Sequence, residues 1–257
     1  MSNRDRPLAG RVALVTGAAQ GVGRGIALAL AREGVAIAAL GRTVSTLEEA
    51  CVEIRARGVD AEAFACDVAD LEAVPGVVDA VAHRFGRLDI LVNNAWAGAH
   101  GPLLELSDRA FQKGFRTGPF AAFAFMRAAH PHLKASGDGS IVNLVTSAMV
   151  RWDPTTYGAY AAAKQALRSL SRTAAVEWAR DGIRVNSIAP HALSPGLAWW
   201  TEENPEEAAE FVATIPMRRI GDCEQDIGRA VVALVGPDLR YLTGATVPLD
   251  GGQAFFG

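Results

Sequence analysis

The stretch RVALVTGAAQGVGRGIALALAREG, residues 11–34, sets the reading of the whole chain. Arg11–Thr16 is a short, nearly continuous apolar run, as expected of a strand buried on both faces. Gly21–Glu33 carries apolar residues at helical spacing and stops at Gly34, a residue type that closes helices in the left-handed conformation. Between them lies Thr16-Gly17-Ala18-Ala19-Gln20-Gly21-Val22-Gly23. Glycines in a strand-to-helix turn let a pyrophosphate approach the backbone. The free N–H groups and positive dipole end of the following helix favour the anion. The spacing is GxxxGxG. Its weight comes from its place between first strand and first helix, since glycines alone say little in a chain that has 26. A tight turn without a ligand is the competing reading.

Outward from this unit the pattern repeats. Ala36–Leu40, Ala61–Cys66, Leu88–Val92, Ile141–Val145, Ile183–Ile188 and Ala245–Leu249 read as further strands. Ser45–Arg57, Leu71–Arg84, about Asp108–Leu133, Thr156–Arg180 and Asp226–Val235 read as helices. Pro75 and Gly76 are expected to deform the second of these, and Ser107 to cap the third. Apolar strands alternating with helices predict an α/β chain: one Rossmann-type domain over residues 1–257, with a doubly wound parallel sheet of about seven strands flanked by helices. The stretch 191–219, with Pro195, Gly196, Pro205 and Pro216, reads as a loop-rich insertion, the kind of segment that carries binding residues.

Half of the 257 residues are hydrophobic, 21% are charged, and the net charge is −3. Nothing in this balance favours nucleic acid or an anionic membrane. Cys51, Cys66 and Cys223 have neither disulfide-framework nor zinc spacing, and no His/Asp/Glu cluster has the spacing of metal ligands. The polar N-terminus and the lack of a long apolar run point to a soluble, cytoplasmic protein.

The end of the second strand should lie by the ribose of a bound dinucleotide. No acid stands in Leu40-Gly41-Arg42-Thr43. Arg42 can pair with a 2′-phosphate, which favours NADP(H) and leaves NAD(H) as the alternative; a solvated surface arginine is the plainer reading.

Residues 146–164, TSAMVRWDPTTYGAYAAAK, hold the candidate acid–base groups. Tyr160 and Lys164 are i and i+4 on one helix face, and Tyr157 and Lys164 are i and i+7 on roughly the same face. Four residues rise about 6 Å and seven about 10.5 Å, so Tyr160 is the tyrosine within reach of the ammonium. A nearby cation favours phenolate, bringing a tyrosine towards the working pH.

Together these segments resemble the classical short-chain dehydrogenase/reductases over essentially the whole chain. Thr16–Gly23 is similar to the family's TGxxxGxG, and Asp67-Val68 to the pair that holds the adenine. Asn93-Asn94-Ala95 resembles its NNAG, with Trp96 in place of glycine. Ser147, thirteen residues before Tyr160, matches the catalytic serine, and Tyr160 and Lys164 match YxxxK. Asn186–Pro190 resembles the segment by the nicotinamide, with His191 where glycine is usual. Asp250-Gly251-Gly252 matches the C-terminal signature.

The resemblance implies hydride transfer between a nicotinamide and a carbonyl or alcohol carbon. Ser147 would bond the substrate oxygen and Tyr160 exchange its proton. Lys164 would lower the Tyr160 pKa and bind ribose. Thr16, Gly17, Gln20, Gly21, Val22, Gly23, Arg42, Asp67, Val68, Asn94, Ala95 and Pro190 would hold the cofactor. It also implies a dimer or tetramer, compatible with the apolar tail at 253–257.

Phe115 stands where the family carries an asparagine, so a proton relay through that side chain is missing. This departure, with Trp96 and His191, raises an alternative: a catalytically weak, redox-sensing nucleotide binder. A second alternative is an NAD-dependent alcohol dehydrogenase. Trp96, Trp152, Tyr157, His191, Trp199 and Trp200 are candidates for the substrate pocket. Trp199 and Trp200 either clamp an apolar substrate or pack on the protein body, and His191 is expected to be structural.

Overall fold

The computed structural model describes residues 6–151 and 156–256. Seven parallel strands form its sheet: β1 (Val12–Thr16), β2 (Ala36–Gly41), β3 (Ala61–Ala65), β4 (Ile90–Asn93), β5 (Gly139–Leu144), β6 (Ile183–Pro190) and β7 (Thr246–Leu249). Their order is β3-β2-β1-β4-β5-β6-β7. β1, β4 and β5 are buried throughout, which explains why their sequences are mostly apolar rather than alternating.

On one face lie α1 (Gly21–Arg32) and α2 (Val44–Arg55), with Ile26, Leu30, Leu47, Cys51 and Ile54 in the core. On the other lies α3 (Val74–Phe85), whose Val74, Val78 and Val81 pack with Phe125 and Met126. The long segment expected over 108–133 is α4 (Asp108–Phe115), a π-helical turn (Arg116–Phe120) and α5 (Ala121–Ser136). Ser107 does cap α4, accepting from the Ala110 N–H at 3.2 Å. Pro119 sits in the π turn, where its missing N–H accompanies a break in the regular hydrogen-bond pattern. α6 (Gly158–Trp178) completes this layer, ahead of β6.

Two expectations change. Pro75 does not deform a helix from within but stands at the second position of α3, where its absent N–H is harmless. The stretch 191–219 is also not mainly loop. It holds α7 (Pro195–Glu203) and α8 (Pro205–Thr214), each begun by a proline at its first position. These prolines start helices rather than break them. α9 (Arg229–Val235) follows and packs against α1.

The strand order reverses between β1 and β4, so a crevice opens beyond their carboxyl ends, the usual ligand position in such sheets. Thr16 ties the two strands there. Its hydroxyl donates to the Val92 carbonyl and accepts the N–H groups of Asn94 and Ala95 at 3.0 Å each.

Candidate active site

Chain direction builds the site: β1, β4, β5 and β6 all end at the same edge of the sheet. Gly17 has φ +69°, in the left-handed region, and its N–H bonds the Leu40 carbonyl at 2.7 Å. A Cβ on Gly23 would lie 2.2 Å from the Gly17 oxygen and 2.5 Å from Asn94 Nδ2, so no side chain fits where the turn meets α1. Asn94 fixes this turn by donating from Nδ2 to the Thr16 and Gly17 carbonyls. Gln20 precedes α1 in extended conformation and makes no capping bond, leaving the first N–H groups of α1 for an anion. A turn with glycines at its tight points, facing open helix N–H groups, fits a dinucleotide pyrophosphate. Val22 packs on the core beside it.

Other predicted cofactor residues border the same crevice. Arg42 is exposed at the end of β2, in the turn leading into α2. Asp67 is exposed and accepts the Ala69 N–H at 2.9 Å, holding the turn after β3. Val68 is buried and lines a cavity of about 10 Å³ with Thr16, Asn93, Ala95, Thr117 and Lys164. Pro190 ends β6, paired in register with Leu249 of β7.

Tyr160 and Lys164 come together on α6. Lys164 is 3% exposed, its Nζ donates to the Leu144 carbonyl at 2.7 Å, and it lies 5.7 Å from the Tyr160 ring centroid. Burial is the leading influence on both groups. Burial pushes Tyr160 up to about 12, opposed by a hydrogen bond from Thr146, with Tyr157 adding to the rise. Burial brings Lys164 down to about 8. Both charges are disfavoured by the same enclosed environment.

The structure does not bring Ser147 to Tyr160 by hydrogen bonding. The Ser147 hydroxyl donates to Asp250 Oδ2 in the turn after β7.

An aromatic group surrounds the tyrosine. The Trp96 ring is 4.5 Å from the Tyr160 ring, and His100 lies 5.4 Å from Tyr160 and 4.8 Å from Tyr157. Burial lowers the His100 pKa, so its neutral form is favoured. His100 was missed because no motif marks it. Trp96 replaces glycine without obstructing β4 because other glycines receive it. Gly98, Gly114 and Gly118 lie against its ring, and its Nε1–H donates to the Gly114 carbonyl at 3.1 Å.

The remaining pocket candidates divide. Tyr157 is exposed and leads into α6, so of the two tyrosines only Tyr160 is held against the lysine. His191 has a buried Nδ1 without a partner and stacks edge-on against Phe211 of α8 at 5.3 Å. Trp200 meets Phe211 at 6.1 Å, whereas Trp199 is exposed. The two tryptophans therefore form no paired clamp. Trp152 lies outside the described residues. Phe115 packs with Phe111 at 4.9 Å and Phe120 at 6.3 Å, and the π-helical kink follows it directly.

A glycine-lined crevice at the switch point, with a buried Tyr–Lys pair beside it, defines a nucleotide-dependent α/β oxidoreductase. The family model described as enoyl-(acyl carrier protein) reductase matches residues 17–254. A 12α-hydroxysteroid dehydrogenase from Clostridium sp. is 38% identical over 252 residues, covering 95% of this chain and 96% of that protein. The structure of an NAD⁺-bound xylitol dehydrogenase is 35% identical with a TM-score of 0.88, covering 95% of this chain and 99% of the other. The NADP active-site complex of Pseudomonas aeruginosa RhlG is 29% identical with a TM-score of 0.89, over 96% and 97% of the two chains. The chain belongs to the classical short-chain dehydrogenase/reductase family and is an NAD(P)-dependent oxidoreductase. Among the described residues no helix is long and apolar enough to cross a membrane.

Proposed function

We propose that this enzyme interconverts a ketone or aldehyde and the corresponding alcohol, with NADPH-dependent reduction favoured. The observation that carries the reading is Tyr160, its ring 5.7 Å from the Nζ of buried Lys164, at the edge of the cofactor crevice. A phenol pushed up to about 12 keeps its proton at neutral pH, the state needed to donate to a carbonyl oxygen as it becomes an alkoxide. A bound nicotinamide nucleotide supplies the hydride.

The chain's own residues do the rest. Gly17, Gln20, Gly21, Val22 and Gly23 take the pyrophosphate, and Asn94 keeps their turn in shape. Asp67, Val68, Ala95 and Pro190 border the base and nicotinamide ends. Arg42 takes a 2′-phosphate, the basis for preferring NADP(H). Lys164 directs its remaining N–H donors to ribose. Trp96, His100 and Tyr157 give the tyrosine an aromatic surround suited to an uncharged carbonyl compound. The segment 191–219 serves as the substrate loop, with Ser194 and Pro195 against Gly21 of the cofactor turn. The exposed Phe111, Phe120 and Phe123 give a surface for pairing with a second copy.

The test is Tyr160→Phe across a panel of ketones, aldehydes and alcohols, followed by nicotinamide absorbance. Loss of about 100-fold or more in kcat with nucleotide affinity kept is expected. Unchanged turnover refutes the role of Tyr160. Nucleotide binding without any turnover by the parent enzyme refutes the carbonyl reading and leaves the redox-sensing one.

A further inference from the structure

We propose that Arg116 is a positioning residue for the adenine end of the nucleotide. From the π-helical turn it braces the loop after β3, the loop of Asp67 and Val68. The proposal rests on the reading that this loop borders the base, and it gives a role to a side chain that none of the sequence motifs includes.

The loop between β3 and α3 gets its shape from bonds within itself. Asp67 Oδ1 accepts the Ala69 N–H and the Asp67 carbonyl accepts the Asp70 N–H, both at 2.9 Å. Asp70 accepts the Ala73 N–H just ahead of α3. Bonds of this kind shape a loop without tying it to the rest of the crevice. Arg116 supplies such a tie. Its Nε–H donates to the Ala69 carbonyl at 2.7 Å, from 47 residues further along the chain. Ala69 directly follows Val68, so the bond holds the backbone that places Val68 at the crevice.

The donor stands on a fixed base. Arg116 opens the π-helical turn, and the next residue, Thr117, is buried. The Thr117 hydroxyl donates to the Ala97 carbonyl at 2.8 Å and accepts the Ala97 N–H at 3.1 Å. Two successive residues of one turn therefore hold two loops. Arg116 holds the loop after β3, and Thr117 holds the loop after β4, which starts with Asn94 and Ala95. Val68, Ala95 and Thr117 line one small cavity, so the two loops meet at this turn. Arg116 is exposed and forms no ion pair among the described residues, so the Ala69 carbonyl sets the direction of its guanidinium. A charged donor makes this bond stronger than a neutral one.

The consequence falls on binding rather than on rate. A loop left loose in the free protein has to be ordered when the base arrives, and that ordering weakens affinity. A loop already braced avoids this cost. The proton-handling end is anchored by other bonds: Lys164 is held on the Leu144 carbonyl, and Asn94 on the Thr16 and Gly17 carbonyls. Removing Arg116 should therefore loosen the base and leave the reacting end in place.

The full chain is compared with Arg116→Ala, Arg116→Lys and Asp67→Ala. Titration calorimetry is run with NADPH and with adenosine 2′,5′-bisphosphate, which lacks the nicotinamide half, and kcat is measured at saturating NADPH. Arg116→Ala should weaken both ligands by the same factor, about tenfold, as loss of a hydrogen bond from a charged donor does, with kcat kept. Arg116→Lys keeps a charged donor and should recover most of that affinity. Unchanged bisphosphate affinity in Arg116→Ala overturns the proposal. So does a fall in kcat with affinity kept, which would place Arg116 at the kink after Phe115 rather than at the base. Asp67→Ala tests the underlying reading separately. If it leaves bisphosphate affinity unchanged, the loop does not border the base, and the brace falls with that reading. If it weakens the bisphosphate while Arg116→Ala does not, the brace alone is refuted. Calorimetry needs no carbonyl substrate, so these outcomes hold even if the carbonyl reading fails.

Discussion

Replacing Lys164 with methionine removes a cation that the fold encloses. The ammonium is 3% exposed and has the Leu144 carbonyl as its hydrogen-bond acceptor. Burial brings its pKa from 10.5 to about 8, which corresponds to about 3 kcal/mol disfavouring the charged folded form. The sign follows from where each state holds its proton. Below about 8 both folded and unfolded chains are protonated, and the folded state carries the full penalty. Between about 8 and 10.5 the folded chain releases its proton first, so stability rises with pH. Methionine has no proton to release and lacks this rise. Losing the donor to Leu144 adds only an offset that does not depend on pH. Urea unfolding followed by tryptophan fluorescence, at one protein concentration, measures the difference between parent and variant. From about pH 7 to about pH 9.5 the parent should gain about 2 kcal/mol relative to Lys164→Met. Parallel pH profiles would show that the lysine is not held at a depressed pKa, and its place as a poised donor beside Tyr160 would fall with it.

Three further outcomes are expected. Gly23→Ala forces a Cβ to 2.2 Å from the Gly17 oxygen, so titration calorimetry should show nucleotide affinity reduced by about tenfold or more, with a lower melting temperature. Arg42→Ala should weaken NADPH by about tenfold or more and NADH little, read by the same method; equal losses would remove the case for a 2′-phosphate. Trp96→Ala empties the space bounded by Gly98, Gly114 and Gly118 and should destabilise the enzyme by about 2 kcal/mol or more in urea unfolding.

Local chemistry was legible wherever it is carried by contiguous residues. The apolar runs of β1, β4 and β5 predicted a parallel sheet because strands covered on both faces have no polar side to alternate with. Thr16–Gly23 was readable because a strand-to-helix turn needs glycine at fixed places, and a Cβ at Gly23 would run into the Gly17 oxygen and Asn94. The prolines of 191–219 misled because proline both breaks helix interiors and starts helices, and only the surrounding packing selects between these.

The sequence by itself determined the layered α/β fold, the cofactor turn and the spacing that keeps Tyr160 near Lys164, since each depends on neighbours along one strand, turn or helix. Tertiary structure decided the rest. It gave Ser147 to Asp250, 103 residues away. It fitted Trp96 among distant glycines and closed His100 over the tyrosine. It also made burial, rather than the lysine's charge, govern the tyrosine's proton. A side chain's partner and its loss of water are set by what the whole fold brings against it, and no spacing along the chain encodes them.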